Sequence, residues 1–335
     1  MKAFIKYIDY YLPEKVLTNE DIVRQFPEWT VDKIEKKIGI KERHITVDGE
    51  TASDLAVKAA ECLIRKNNVD KSQIDYLIFV TQSPDYHLPT TACLIQTRLG
   101  LSKQITAIDV NLGCSGFVTG LSLAKAIIIS GQAKNVLLLT AETYSKYMHE
   151  RDKSNRTIFG DGSAATLVST DGFAEVGEFV IGTDGEGANN LIVKTGCARH
   201  PQPMNDLKFD DFGNPFSSDN LFMDGPAILN YSLDSIPQLV KDVLEKNNLT
   251  MEDVNLHVYH QANIFLANLE RRKLKIPQER YYCNIEHVGN TVSSTIPIAL
   301  CMALADGSLK DNYNVLSVAQ GLGYTWGGFV LKVKF

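Results

Sequence analysis

Apolar residues along the chain fall into two kinds of run, short continuous ones and longer ones at helical spacing, and the two alternate. Ala3 to Tyr11 reads as a strand stopped by Leu12-Pro13, and Thr18 with Glu20 and Asp21 behind it reads as a capped helix start. Between Thr51 and Lys66 the positions Leu55, Ala56, Ala59, Ala60, Leu63 and Ile64 recur at the spacing of one helix face. Ile74 to Thr81 is a nearly unbroken apolar run, the pattern of a strand covered on both faces. The spacing then predicts a helix over Thr91–Leu99, a strand over Ile105–Val110, a helix over Ser115–Ser130 and a strand over Val136–Thr140. The second half repeats this grammar: helix Ala227–Asn247, strand Leu256–Tyr259, helix Ile264–Leu274, helix Val292–Ala305 and strand Val315–Ala319. Thr183 to Asn220 is rich in Gly, Asn, Asp and Pro and reads as surface loops over a site. Strands alternating with helices at this spacing specify an α/β layered fold. The expected organisation is two similar halves, residues 1–172 and 173–335, facing one site, with Cys114 and His260 at mirrored positions just after a strand.

Composition narrows the class. The chain has 335 residues, 44% of them hydrophobic, which is enough for a large core, and a net charge of −6 speaks against a nucleic-acid binder. No apolar run approaches the ~20 residues that span a membrane. The first residues, Met1 to Lys6, lack the apolar centre of a signal peptide. Six cysteines lie far apart with no C-x-x-C pair, which is neither a zinc pattern nor a disulfide framework and fits a reducing cytoplasm.

Cys114 carries the strongest chemical signal. In Gly113-Cys114-Ser115-Gly116 an apolar run breaks and a helical segment begins, so the thiol is expected against a helix N-terminus, whose dipole favours the thiolate. The flanking glycines are expected to allow a sharp turn and a close substrate approach. A lone cysteine is more often packing than catalysis, and the motif raises the odds to about even. His260 and Asn290 each stand in a loop that enters a helix; taken singly, one reads as a satisfied histidine and the other as an N-cap. Phe159-Gly160-Asp161-Gly162 and the glycine-rich stretch from Gln320 to Gly328 read singly as turns.

Taken together and in order, the motifs change these odds. Tyr10-Tyr11-Leu12-Pro13, Gly39-Ile40-Lys41-Glu42-Arg43, Gly113-Cys114-Ser115-Gly116-Phe117, Phe159-Gly160-Asp161-Gly162, His260-Gln261-Ala262-Asn263, Gly289-Asn290-Thr291 and Gly323-Tyr324-Thr325-Trp326-Gly327 resemble the thiolase superfamily. Within it they are similar to the β-ketoacyl-acyl-carrier-protein synthase III branch, over nearly the whole chain. The resemblance implies a thiolase-like αβαβα fold of two α/β halves and a homodimer.

It also implies a mechanism: Cys114 accepts an acyl group from a thioester, while His260 and Asn290 hold the carbonyl of a malonyl-type donor as carbon dioxide leaves. With the thiolate formed by the helix end, His260 is not required for acylation. The backbone N–H groups of Cys114 and Leu322 are the implied oxyanion donors, Leu322 replacing the middle glycine of the family's loop. Implied substrate contacts are Asn263, Trp29, Lys37, Leu88, Gly321 and Gly323, with Leu88 lining the partner's acyl pocket. Lys37 stands where the family has an arginine, and Trp29 stands further ahead of Gly39 than is usual. Arg271, Arg272 and Lys273 form the basic patch expected to meet an acidic acyl carrier protein. No bound cofactor or metal is implied, since coenzyme A and phosphopantetheine thioesters are substrates. The alternative is a specialised synthase or acyltransferase that passes the cysteine-bound acyl group to another acceptor.

Overall fold

The computed structural model describes residues 1–211 and 213–335; of the expected loop over Thr183–Asn220, Phe212 lies outside the described residues. Nine strands follow one another across the main sheet: Leu256–His257, Asn314–Gly321, Thr325–Val333, Ala174–Val176, Phe4–Tyr11, Gly162–Ser169, Asn135–Glu142, Tyr76–Val80 and Thr106–Val110. Val180–Thr183 pairs with Thr325–Val333 as the tenth strand.

The ladder repeats itself. Outward from Phe4–Tyr11 the successive pairings, to Gly162–Ser169, Asn135–Glu142, Tyr76–Val80 and Thr106–Val110, are antiparallel, antiparallel, parallel and parallel. Outward from Ala174–Val176 and Val180–Thr183, through Thr325–Val333, Asn314–Gly321 and Leu256–His257 to a bridge between His257 and Tyr281, the signs are the same. The chain order of the partners also matches. This register corrects the expected mirror: Cys114 and Asn290 both follow the outermost strand position of their halves, whereas His260 follows Leu256–His257, the counterpart of Tyr76–Val80.

The continuous apolar runs are explained by layers on both faces. Side chains alternate along a strand, so Ile78, Val80, Val136 and Leu138 face one core while Leu77, Phe79, Leu137 and Leu139 face another. The first core is filled by helices Gly116–Ile129 and Thr295–Ala305 and is closed on its other side by Val258, Val315 and Phe329. The second lies under helices Ala52–Asn67 and Thr91–Leu99. A third core packs helices Gly225–Lys246 and Ile264–Lys273 on Leu316, Val318 and Val330. The order is therefore helix, sheet, helix, sheet, helix. No helix among the described residues is long and apolar enough to cross a membrane.

Departures from expectation are local. Leu256–Tyr259 is a strand only as far as His257, and the expected helix start at Val292 is a 3-10 turn, Val292–Ser294, before the α-helix Thr295–Ala305. Helix Val31–Ile38 and strands Gly162–Ser169 and Thr325–Val333 were not expected. Gly162–Ser169 (GSAATLVS) is buried at every position, and its small polar residues give neither alternation nor an apolar run.

The central helix lies against the sheet without spare room. A Cβ at Gly120 would come 2.7 Å from Leu138 Cδ1 and 2.8 Å from Val80 Cγ2. Overpacking of this kind costs about 1–3 kcal/mol, against a helix-propensity gain of about 1 kcal/mol for Gly→Ala. Gly120→Ala is expected to lower the urea midpoint by the difference; an unchanged or raised midpoint would mean that the helix shifts freely on the sheet.

Candidate active site

Strand Thr106–Val110 ends, the chain turns through Asn111 to Gly113, and helix Gly116–Ile129 begins. Cys114 stands in that turn, 8% exposed, with the Gly116 N–H donating to the Gly113 carbonyl at 2.7 Å. The glycines serve close approach, not a left-handed turn. A Cβ at Gly113 would strike Gln82 Oε1, and one at Gly321 would lie 3.0 Å from the Ser115 nitrogen and 3.3 Å from Cys114 Cβ. Ser115 does not cap the helix; its Oγ pairs with Thr325 Oγ1 at 2.7 Å, tying the cysteine turn to the C-terminal hairpin.

The thiol is not a resting thiolate. Burial pushes Cys114 up to about 12, the Glu142 carboxyl adds to the rise, and the residue's own N–H only partly offsets it. Desolvation thus works against the thiolate that the helix end is expected to favour.

His260 and Asn290 arrive from the other half. The His260 N–H donates to the Val318 carbonyl at 2.9 Å, and Nδ1 meets Thr295 Oγ1 at 2.7 Å. Thr295 Oγ1 also lies 3.2 Å from the Val292 carbonyl, to which it can donate. Burial pushes the imidazole down to about 4, so His260 is neutral. Asn290 is not an N-cap, since the helix behind it begins at Thr295. Its main chain pairs with Ile158 and Gly160 at 2.9 and 3.0 Å, which gives the Phe159-Gly160-Asp161-Gly162 motif a role as an anchor. The Val292 N–H donates to Asn290 Oδ1 at 2.9 Å, so the side-chain NH₂ is the free end. Val292 does this at φ 55, a left-handed conformation that costs a β-branched residue about 1–3 kcal/mol.

Cys114, His260 and Asn290 line one cavity of about 220 Å³, together with Asn263, Gly321 and Leu322. Ile158, Phe159, Leu191 and Met223 make its wall apolar beside the thiol. Neither the Cys114 N–H nor the Leu322 N–H donates to another backbone group among the described residues. Asn263 caps helix Ile264–Lys273 through its Oδ1, which accepts from the Leu266 N–H at 2.8 Å and leaves the NH₂ group free.

Sequence reasoning missed the group that joins these pieces. Glu142 is fully buried; its Oε2 accepts from the Gln82 N–H (3.0 Å) and Ser83 Oγ (3.2 Å), and its Oε1 accepts from Ser293 Oγ (2.9 Å). Burial raises its carboxyl to about 8, against the pull of those three donors. An acid at the carboxyl end of the apolar run Val136–Thr140 was the available signal. Nothing in the sequence marked Thr295, the partner of His260.

Several expected contacts lie outside the cavity lining: Trp29, Lys37, Leu88, Gly323 and the basic triplet. Lys33 Nζ stands 4.8 Å over the Trp29 ring, while Lys37 is exposed. Leu88 is 82% exposed, far more than an apolar side chain of its size commonly is. Arg271 is half-buried and donates to the Ile276 carbonyl at 3.0 Å, while Arg272 and Lys273 are exposed.

Residues 108–185 and 244–333 match the family models for 3-oxoacyl-[acyl-carrier-protein] synthase III and for its C-terminal region. The β-ketoacyl-[acyl-carrier-protein] synthase III of Campylobacter curvus is 36% identical over 99% of this chain and 97% of its own. That of Clostridium perfringens is 34% identical over 96% and 97%. A crystal structure of a 3-oxoacyl-(acyl-carrier-protein) synthase III superposes with a TM-score of 0.96 at 44% identity, covering 100% of both chains. The relatives carry the condensing-enzyme name, which leaves transfer to another acceptor without support. The thiolase-like layers, the ordered motifs and these full-length matches agree: the chain belongs to the β-ketoacyl-[acyl-carrier-protein] synthase III family of condensing enzymes.

Proposed function

We propose that this chain is an acyltransferase that loads an acyl group from acyl-CoA onto Cys114 and condenses it with a malonyl-type thioester. The carrying observation is that a thiol, an imidazole and an amide NH₂ from three separate loops share one apolar cavity.

In the first half-reaction the thiol attacks the thioester carbonyl and its proton passes to His260 Nε2. Thr295 Oγ1 accepts from Nδ1–H in that state and donates its own O–H in a hydrogen bond to the Val292 carbonyl. The oxyanion is held by the N–H groups of Cys114 and Leu322, and the leaving coenzyme A thiolate takes the proton from the imidazolium. Once coenzyme A has left, exchange with solvent moves the imidazole proton from Nδ1 to Nε2; Thr295 then donates to Nδ1, and His260 presents Nε2–H beside the Asn290 NH₂. Both donate to the malonyl thioester carbonyl, the C–CO₂ bond breaks, and the enolate carbon attacks the acyl-cysteine. Cys114 leaves as a thiolate and is reprotonated from solvent.

The Asn263 NH₂ suits an amide of the pantetheine arm, so coenzyme A and phosphopantetheine enter as substrates, not as resident cofactors. Arg272 and Lys273, with Arg271 behind them, suit an acidic acyl carrier protein. The exposure of Leu88 suits a homodimer in which it reaches the partner's pocket. The unpaired state of all six cysteines fits a reducing cytoplasm, and the relatives' name fits a place in fatty acid biosynthesis.

Asn290→Ala is expected to lower carbon dioxide release from the malonyl donor by about 10²–10³-fold while Cys114 still acylates, as read by intact-protein mass. Cys114→Ala removes acylation and with it condensation. His260→Ala slows both, because a thiol near 12 needs a base to leave its proton with; unimpaired acylation would sink the proposed proton path. Acylation is expected to be flat across neutral pH, since His260 is neutral above about 4 and the thiol protonated below about 12. A rise titrating near the ordinary cysteine pKa would mean attack by free thiolate. Above about pH 8, where Glu142 is ionised, Glu142→Gln removes the like charge and is expected to speed alkylation of Cys114 by iodoacetamide; a slowed reaction there would show that the carboxyl helps the thiol ionise.

A further inference from the structure

The two N–H groups assigned to the oxyanion come from opposite halves of the chain. Cys114 stands in the turn before helix Gly116–Ile129, and Leu322 in the turn between strands Asn314–Gly321 and Thr325–Val333. Two donors act together only if both aim at one point, so the spacing between these turns has to be set by something. Leu322 itself has little to hold it. Gly321 pairs with Thr325, which leaves Leu322, Gly323 and Tyr324 as the turn. Among the described residues Leu322 makes one hydrogen bond, through its carbonyl, which accepts from Thr325 Oγ1 at 3.0 Å.

The same Thr325 oxygen lies 2.7 Å from the Oγ of Ser115, the residue after the cysteine. A carbonyl can only accept, so the single Thr325 hydroxyl proton goes to Leu322, and the Thr325 oxygen accepts from the Ser115 hydroxyl. This fixes the polarity of a chain from Ser115 O–H through Thr325 O–H to the Leu322 carbonyl. It runs directly behind both donors: a Cβ at Gly321 would lie 3.0 Å from the Ser115 nitrogen, 3.1 Å from Thr325 Oγ1 and 3.3 Å from Cys114 Cβ. Cohesion of helix and hairpin does not call for hydroxyls here. Phe117 packs on Phe329 with ring centroids 6.2 Å apart, and a Cβ at Gly327 would lie 2.9 Å from Val118 Cγ1, so apolar contact already fastens the two. Taking hydroxyls out of water costs much of what their bonds return, so the benefit of this pair is geometric.

We infer that Thr325 is a positioning residue: with Ser115 it sets the distance and angle between the Cys114 and Leu322 N–H groups, so that both point at the carbonyl oxygen of the acyl-cysteine. Thr325 is not in the cavity lining and acts only through Leu322. The inference rests on Cys114 being the acyl acceptor and on these two N–H groups being the oxyanion donors.

Thr325→Ala and Thr325→Ser both lose the γ-methyl and differ by the hydroxyl alone, so their comparison isolates the relay. Each protein is acylated with an acyl-CoA isotopically labelled at the carbonyl, and the stretch of the Cys114 thioester carbonyl is read by isotope-edited infrared difference spectroscopy. Well-aimed donors pull that stretch to lower wavenumber. The unsubstituted protein and Thr325→Ser are expected to share the low value, whereas Thr325→Ala and Ser115→Ala move it up. Single-turnover acylation at saturating acyl-CoA is expected to slow about 10–100-fold in Thr325→Ala, with the half-saturating concentration unchanged and Thr325→Ser near the original rate. An unmoved stretch in Thr325→Ala overturns the inference even where melting temperature falls, because a hydroxyl that merely stabilises the fold leaves the acyl carbonyl as polarised as before. An equal shift in Thr325→Ala and Thr325→Ser overturns it as well, tracing the effect to the methyl. Where Thr325→Ala does not fold, Ser115→Ala decides by the same reading, since it removes the other hydroxyl without touching the strand. Failure of the unsubstituted protein to take any acyl group on Cys114 would strike instead at the role of the thiol.

Discussion

The site is held together by one buried carboxyl. Glu142 ends the strand Asn135–Glu142 and takes hydrogen bonds from Gln82 and Ser83 in the first half and from Ser293 in the second. Gln82 abuts Gly113, next to the cysteine, and Ser293 follows Val292, whose N–H fixes Asn290. Beside this clamp Ser294 Oγ meets Thr140 Oγ1 at 2.8 Å, again across the halves. Two loops that must stay in register within a fraction of an ångström are thus tied through a single group. An unpaired carboxylate there would cost several kcal/mol, so the clamp is strong only while all three donors remain.

The same burial that strengthens the clamp sets the proton inventory. Moving a thiol, a carboxyl and an imidazole out of water drives each toward its neutral form. Cys114 and Glu142 rise and His260 falls, so the cavity rests uncharged. The helix N-terminus behind Cys114 does not overturn this, because a partial charge at one helix end is a smaller effect than full desolvation of a thiolate. Charge then appears only as an acyl group is transferred, where the open N–H groups are in position to meet it.

Much of the fold was legible because it is written in periodicity. Helices Thr91–Leu99 and Gly116–Ile129 and strands Tyr76–Val80 and Thr106–Val110 fall within a residue or two of the apolar patterns that announce them. Gly162–Ser169 escaped because a strand made of small, wholly buried residues has no pattern to read. Cys114, His260 and Asn290 were legible as an ordered set of motifs, though not one at a time. Glu142 and Thr295 were not, since each acquires meaning from a neighbour distant in the chain.

The sequence by itself determined the alternation of strands and helices, the continuous runs that demand cover on both faces, and the loops that present Cys114, His260 and Asn290. Those are local properties, fixed by spacing and residue type. Only the tertiary structure decided that Cys114 is the counterpart of the Asn290 loop and not of His260, and that burial pushes the thiol toward its protonated form. Strand order, burial and the company a side chain keeps are set by which distant segments pack together, and no window along the chain contains them.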